Sequence, residues 1–213
     1  MIIAIDGPAG AGKGTLARRL AAAFRFAYLD TGALYRAVGV AVLDAGGDPA
    51  DPAAAEAAAR ALGLDLIESP RLRTEAAGEA ASKVAAIPAV RAALLEFQRG
   101  FAAAPPSPCV GAVLDGRDIG TVVCPGADLK LFVTASAEER ARRRTLELRA
   151  KGIDAIQERV LADMLARDER DRDRKVAPLA PAKDAVVLDT TAMDADMVFD
   201  RAAVLVRERT VAG

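Results

Sequence analysis

The stretch IIAIDGPAGAGKGT, residues 2–15, decides how the rest of this sequence is read. The apolar run Ile2–Ile5 stops at Asp6-Gly7, the pattern of a strand buried on both faces. Glycines follow at 7, 10, 12 and 14. From Lys13 onward, Leu16, Leu20, Ala23 and Phe24 mark one face of a helix. A strand, a glycine-rich turn and a helix start, in that order, let backbone N–H groups converge on phosphate oxygens at the positive end of the helix. Gly7, Pro8, Ala9, Gly10, Ala11, Gly12, Lys13, Gly14 and Thr15 are therefore the candidate phosphate-binding residues, with Lys13 reaching the β- and γ-phosphates. The strict pattern G-x-x-x-x-G-K-[ST] fails at one place. Gly14 stands where a magnesium-binding hydroxyl belongs, and Thr15 carries the hydroxyl one residue late. Such a loop offers the metal no direct side-chain ligand, so magnesium must ride on phosphates, water and a carboxylate. Thr15 is better placed for the α-phosphate.

Beyond Lys13, helical and strand-like segments alternate. Helices are expected over Lys13–Phe26, Leu34–Leu43, Ala53–Leu62, Thr74–Val84, from Pro88, from the capping box Ser136-Ala137-Glu138-Glu139, over Ile156–Arg174 and over Ala195–Arg209. Strand-like runs are Ala27–Asp30, Leu64–Ile67, Cys109–Leu114, Leu129–Thr134 and Ala185–Leu188. This alternation predicts an α/β fold with a parallel sheet wrapped by helices. A length of 213 residues suits one such domain with a small insertion. The chain holds no apolar run long enough to cross a membrane, and a start running straight into a strand points to the cytoplasm. A net charge of −1 argues against a general nucleic-acid or membrane-surface binder. Cys109 and Cys124 have no metal or disulfide spacing and read as two reduced thiols. There is no histidine, which removes histidine triads, histidine bases and histidine metal sites together.

The form G-x-G-K-G-T resembles nucleoside monophosphate kinases. Four further stretches narrow the resemblance: DTGALYR at 30–36, ASKVAAIPAVR at 81–91, DGRDIGTVV at 115–123 and RDERDRDRKVAPL at 167–179. In order and over nearly the whole chain, these are similar to the bacterial cytidylate kinases. Adenylate kinases share the loop but not DTGALYR, DGRDIGTVV or the 167–179 run. The resemblance implies a P-loop kinase fold: a parallel five-stranded sheet, a helical lid at about 140–160, and a nucleoside-monophosphate-binding insertion at about 47–101. The core is then 1–46, 102–139 and 176–213. It further implies ATP as donor, magnesium, and CMP and dCMP as acceptors of a monomeric enzyme. Another nucleotide or small-metabolite kinase of the same fold is the alternative reading.

In an α/β sheet the residues just past the strand C-termini line the ligand crevice, where Asp30, Thr31, Asp115, Arg117 and Asp118 fall. The resemblance assigns cytosine to Ser82, Arg91 and Asp118, the acceptor phosphate to Arg36, Arg117 and Arg174, and the ribose to Arg167 and Asp171. Lys13, Arg117, Arg144 and Arg174 are then the catalytic cations. The charge pattern of RDERDRDR alone also fits a solvated salt-bridge face. Tyr35 either packs beside the base or anchors its helix. Asp115 either holds magnesium through water or holds backbone amides, and Asp6 reads as support for its own loop. Of the lid arginines, Arg140 and Arg144 are expected to face inward, with Arg143 a third candidate. The family's strand-rich insertion is shortened here, because Glu68–Arg73 runs almost directly into helix 74–84.

Overall fold

The computed structural model describes residues 1–63, 66–67 and 69–211. The chain separates into two compact units, Met1–Leu29 with Ala102–Gly213, and Asp30–Phe101.

Among the described residues, five strands form one sheet: β1 (Ile2–Asp6), β2 (Ala27–Asp30), β3 (Ala112–Gly116), β4 (Leu129–Thr134) and β5 (Val186–Asp189), in the order β2-β3-β1-β4-β5. The central strand β1 runs parallel to both neighbours, with Ile3 opposite Val113 and Leu129. Successive side chains of a strand point to opposite faces. Ile3, Ala4 and Ile5 are all fully buried, as are Val113 and Leu114, so both faces of the sheet are covered. This is why β1 and β3 read as unbroken apolar runs. On one face, Leu16, Ala17 and Leu20 of α1 (Lys13–Phe24) meet Val198, Ala202 and Val206 of α8 (Ala195–Val211) over Ile3, Ile5, Leu131 and Val133.

Among the described residues of the second unit, the regular elements beyond Asp30 are all helical. It holds α2 (Thr31–Asp44), α3 (Pro52–Arg60), a 3-10 turn at Pro70–Arg73, α4 (Glu75–Val84) and most of α5 (Pro88–Ala103). Helix starts follow side-chain chemistry. The Asp30 carboxylate accepts from Ala33 N–H, Asp51 from Ala53 N–H with Pro52 next, and Thr74 Oγ1 from Ala77 N–H. Gly39 lets α2 approach α4, since a Cβ there would lie 2.7 Å from Ala80 Cβ. The helix α2, expected with the core, thus clusters with the second unit.

The strand expected at Leu64–Ile67 is a correction. Leu64 and Asp65 lie outside the described residues, while Leu66 and Ile67 are in a 3-10 turn, with Ser69 N–H donating to Leu66 O at 3.2 Å. Four residues were too short a run to separate a strand from a helical turn. The remaining helices are α6 (Ala137–Ala150) and α7 (Gln157–Arg172), which pack against each other. Half of the expected capping box forms. Ser136 Oγ accepts from Glu139 N–H at 3.2 Å, but the Glu139 carboxylate turns to Arg142 and Arg143 instead of the Ser136 N–H at the start of the helix, which donates to Thr191 Oγ1.

Candidate active site

The loop after β1 is built on glycine where the backbone demands it. Gly7 has φ 144°, and a Cβ there would come 1.9 Å from Val133 O. Gly10 and Gly12, at φ 74° and 93°, hold left-handed conformations that glycine adopts without a Cβ clash. Pro8 and Ala11 are buried, Ala9 is half-buried, and Gly10, Gly12 and Thr15 are exposed. Lys13 is buried and its Nζ donates to Pro8 O at 2.8 Å. Burial, and then the neighbouring Arg117, pull its pKa down to about 7, against the opposing attraction of Asp115.

Gly14 resolves the irregularity of the loop. A Cβ at this position would stand 3.2 Å from Asp115 Oδ2 and 3.6 Å from the Tyr28 hydroxyl, which itself donates to Asp115 Oδ2 at 3.1 Å. The carboxylate from the end of β3 therefore occupies the side of the loop where other phosphate loops carry a hydroxyl. It reaches over a residue with no side chain. An oxygen donor set of this kind fits magnesium held through water. Among the described residues no cluster of three or more acidic or thiol ligands exists to hold an ion by itself.

A second group of charges converges in the same unit. Asp171, buried on α7, accepts from Arg117 Nε at 2.9 Å and pairs with the Arg174 guanidinium. Arg174 lies just beyond the end of α7, yet its side chain folds back onto the helix. Burial pushes the Asp171 carboxyl up, but Arg117, Arg174 and Arg167 together outweigh it and hold the group below its ordinary value. Three guanidinium groups thus act on one carboxylate. Arg170 and Arg172 are exposed and donate to backbone carbonyls of their own helix. The RDERDRDR run therefore has one buried side and one solvated side.

Asp118 is buried and starts a five-residue π-helical turn, Ile119–Val123. Asp6 departs from the sequence reading. Its carboxylate leaves its own loop and accepts from Ile119 N–H and Gly120 N–H, each at 2.7 Å. Burial pushes this carboxyl up to about 6 against those two bonds. No local sequence signal marks that partnership, because it spans more than a hundred residues.

In the second unit, Arg36 pairs with Asp30 at 2.6 Å on the first turn of α2. Thr31 is buried at the start of the same helix. Tyr35 is buried, and the Arg91 guanidinium sits 5.6 Å from its ring centroid. Arg91 also donates to Ala85 O at 3.4 Å. Ser82 is buried on α4, and its Oγ has no hydrogen-bond partner. A hydroxyl left in this state points to an occupant the protein itself does not supply.

The arginines of α6 divide. Arg140 is buried, donates to Ala135 O and Ala9 O, and pairs with Asp168 at 2.7 Å. It so ties the phosphate loop to α6 and α7. Arg143 reaches Thr190 and Met193 near the end of β5. Arg144, more exposed, pairs with Glu147 at 2.9 Å.

A family model for cytidylate kinase matches residues 3–208. The cytidylate kinase of Paramagnetospirillum magneticum is 66% identical over 198 residues, covering 93% of each chain. That of Granulibacter bethesdensis is 61% identical over 98% of each, and that of Rhodospirillum rubrum 62% identical over 95% of each. Among solved structures, an uncharacterized protein from Eubacterium ventriosum aligns with a TM-score of 0.54 at 14% identity, over 97% of this chain and 98% of that one. At that identity the likeness speaks to fold alone. The end-to-end match to the family model and to relatives near two-thirds identical shows that this chain belongs to the cytidylate kinase family.

Proposed function

We propose that this chain transfers the γ-phosphoryl group of ATP to the phosphate of CMP and dCMP. The observation that carries the reading is the convergence of the half-buried Arg117, Arg174 and Arg167 on the buried Asp171, a grouping of guanidinium groups suited to a phosphate dianion. The donor lies in the loop Gly7–Thr15, with Lys13 on its outer phosphates. In the acceptor, Arg36, Arg117 and Arg174 take the phosphate, and Arg167 and Asp171 the ribose. Ser82, Arg91 and Asp118 read the cytosine, and Thr31 and Tyr35 line its surroundings. The base presents an amino donor beside N3 and O2 acceptors, matching Asp118 and the Ser82 Oγ on one edge and the Arg91 guanidinium on the other. Uracil reverses two of these groups and would leave Asp118 facing a carbonyl. An unsatisfied buried polar group costs about 1–3 kcal/mol, so cytosine is favoured by roughly tenfold or more.

No general base is required. The nucleophile is a phosphate oxygen whose second pKa is about 6, already ionised at neutral pH. The residues align two polyanions and neutralise the moving phosphoryl group, which is consistent with a chain lacking histidine. Magnesium on the donor phosphates would supply further charge neutralisation, with Asp115 as its water-mediated partner. The segment at about 140–160 acts as the lid over the donor, with Arg144 its mobile cation, and about 47–101 as the acceptor-binding insertion of a monomeric enzyme. The test is ADP production with CMP, dCMP, UMP and AMP as acceptors. A clear preference for the two cytosine nucleotides is expected. Equal rates across the panel, or activity on none, would overturn the assignment in favour of another kinase of this fold.

A further inference from the structure

Arg117 and Asp118 form a two-residue link whose ends are held by different means. Before it, Gly116 is locked in the sheet, opposite Asp6 in the β1–β3 register. After it, Ile119 and Gly120 lie outside the ladder, and their N–H groups are taken up by Oδ1 and Oδ2 of that same Asp6, both at 2.7 Å. Both bonds are charge-assisted and short, and Asp6 is only 4% exposed, so water does not compete for them. The fit is tight on the other side. A Cβ at Gly120 would stand 3.4 Å from Asp6 Oδ2 and 3.1 Å from Lys130 Cδ. The π-helical turn continues from this anchor, with Cys124 N–H donating to Ile119 O at 2.7 Å. One carboxylate thus sets where the turn begins.

We infer that Asp6 is a positioning residue for acceptor specificity: its carboxylate clamps the amides of Ile119 and Gly120 and so fixes the attitude of Arg117 and Asp118. Asp6 touches neither reacting group. It acts through the backbone of the turn, and it is also the residue directly before Gly7, so β1 aims the donor loop and the acceptor-reading turn from one end. This rests on the proposed CMP kinase activity.

The test is Asp6→Asn, which keeps size and one acceptor but sets an NH2 group against one of the two N–H donors. We expect kcat/KM for CMP to fall ~10–100-fold and the CMP-over-UMP ratio to drop ~10-fold, as for loss of a hydrogen bond to a charged group. KM for ATP should stay within about twofold, and thermal unfolding should report how much folded enzyme is assayed. Should Asp6→Asn fail to fold, Gly120→Ala disturbs the same clamp from the turn side and carries the same expectation. A wild-type CMP-over-UMP ratio in the variant that folds overturns the inference. So does an equal fall in ATP and CMP parameters, the mark of a merely structural role. Wild-type enzyme inactive on CMP would instead overturn the functional reading beneath it.

Discussion

Nucleotide binding at neutral to mildly alkaline pH should take up a proton at Lys13. In the free protein the amine is buried against Pro8 O, with Arg117 close enough to repel its charge, and its pKa lies near 7 instead of 10.5. Donor phosphates beside Nζ reverse the balance, since a nearby opposite charge favours the charged form. At about pH 8 the free amine is roughly one-tenth protonated and the bound one essentially fully so, giving an uptake of ~0.9 proton per nucleotide. At about pH 6 the free amine is already mostly charged and the uptake falls to ~0.1. Calorimetric titration with ATP in buffers of different ionisation enthalpy measures this number as the slope of observed enthalpy on buffer enthalpy. Lys13→Arg is the control, because a guanidinium stays charged throughout, and subtracting it removes the nucleotide's own titration. Equal slopes for the two proteins at about pH 8 would show that Lys13 is charged before ATP arrives, and the desolvation argument would fail.

Ser82→Ala should leave folding stability unchanged or slightly raised, because the Oγ has no bond to lose, while KM for CMP rises ~5–10-fold; a destabilised protein with normal KM would refute a ligand-facing role. Arg140→Met should cost ~3–5 kcal/mol by chemical denaturation, since it strands the buried Asp168 carboxylate and removes a donor from Ala9 O. A loss below about 1 kcal/mol would show that the pair is not a structural anchor. Arg144→Ala should lower kcat ~100-fold with CMP affinity unchanged, as for loss of a transition-state cation. Its half-exposed pairing with Glu147 is worth under about 1 kcal/mol, so stability should hold, and wild-type turnover would end the assignment.

Periodicity and local chemistry carried most of the element order. β1 and β3 read as apolar runs because both their faces are covered, and α3 and α4 started at their capping residues. Local signals failed where a partner had to choose. Glu139 had two uses open to it, the Ser136 N–H at the start of its helix or the arginines that follow it, and the pair Arg142 and Arg143 won. Leu66 and Ile67 carried strand-like residues in a run too short to enforce a period, and they turned as a 3-10 segment.

The sequence by itself determined the phosphate loop, because a strand end, glycines and a lysine at fixed spacing are all local requirements. It also determined that no histidine takes part in any chemistry here. Tertiary structure alone decided what each charge is spent on. Asp115 comes beside Gly14 because β3 pairs with β1, and Asp6 finds Ile119 and Gly120 across the same pairing. Arg140 is consumed by Ala9 and Asp168, while the half-buried Arg144 pairs with Glu147. Charge acts over a few ångströms in space, and the residues that share those few ångströms are far apart along the chain until it folds.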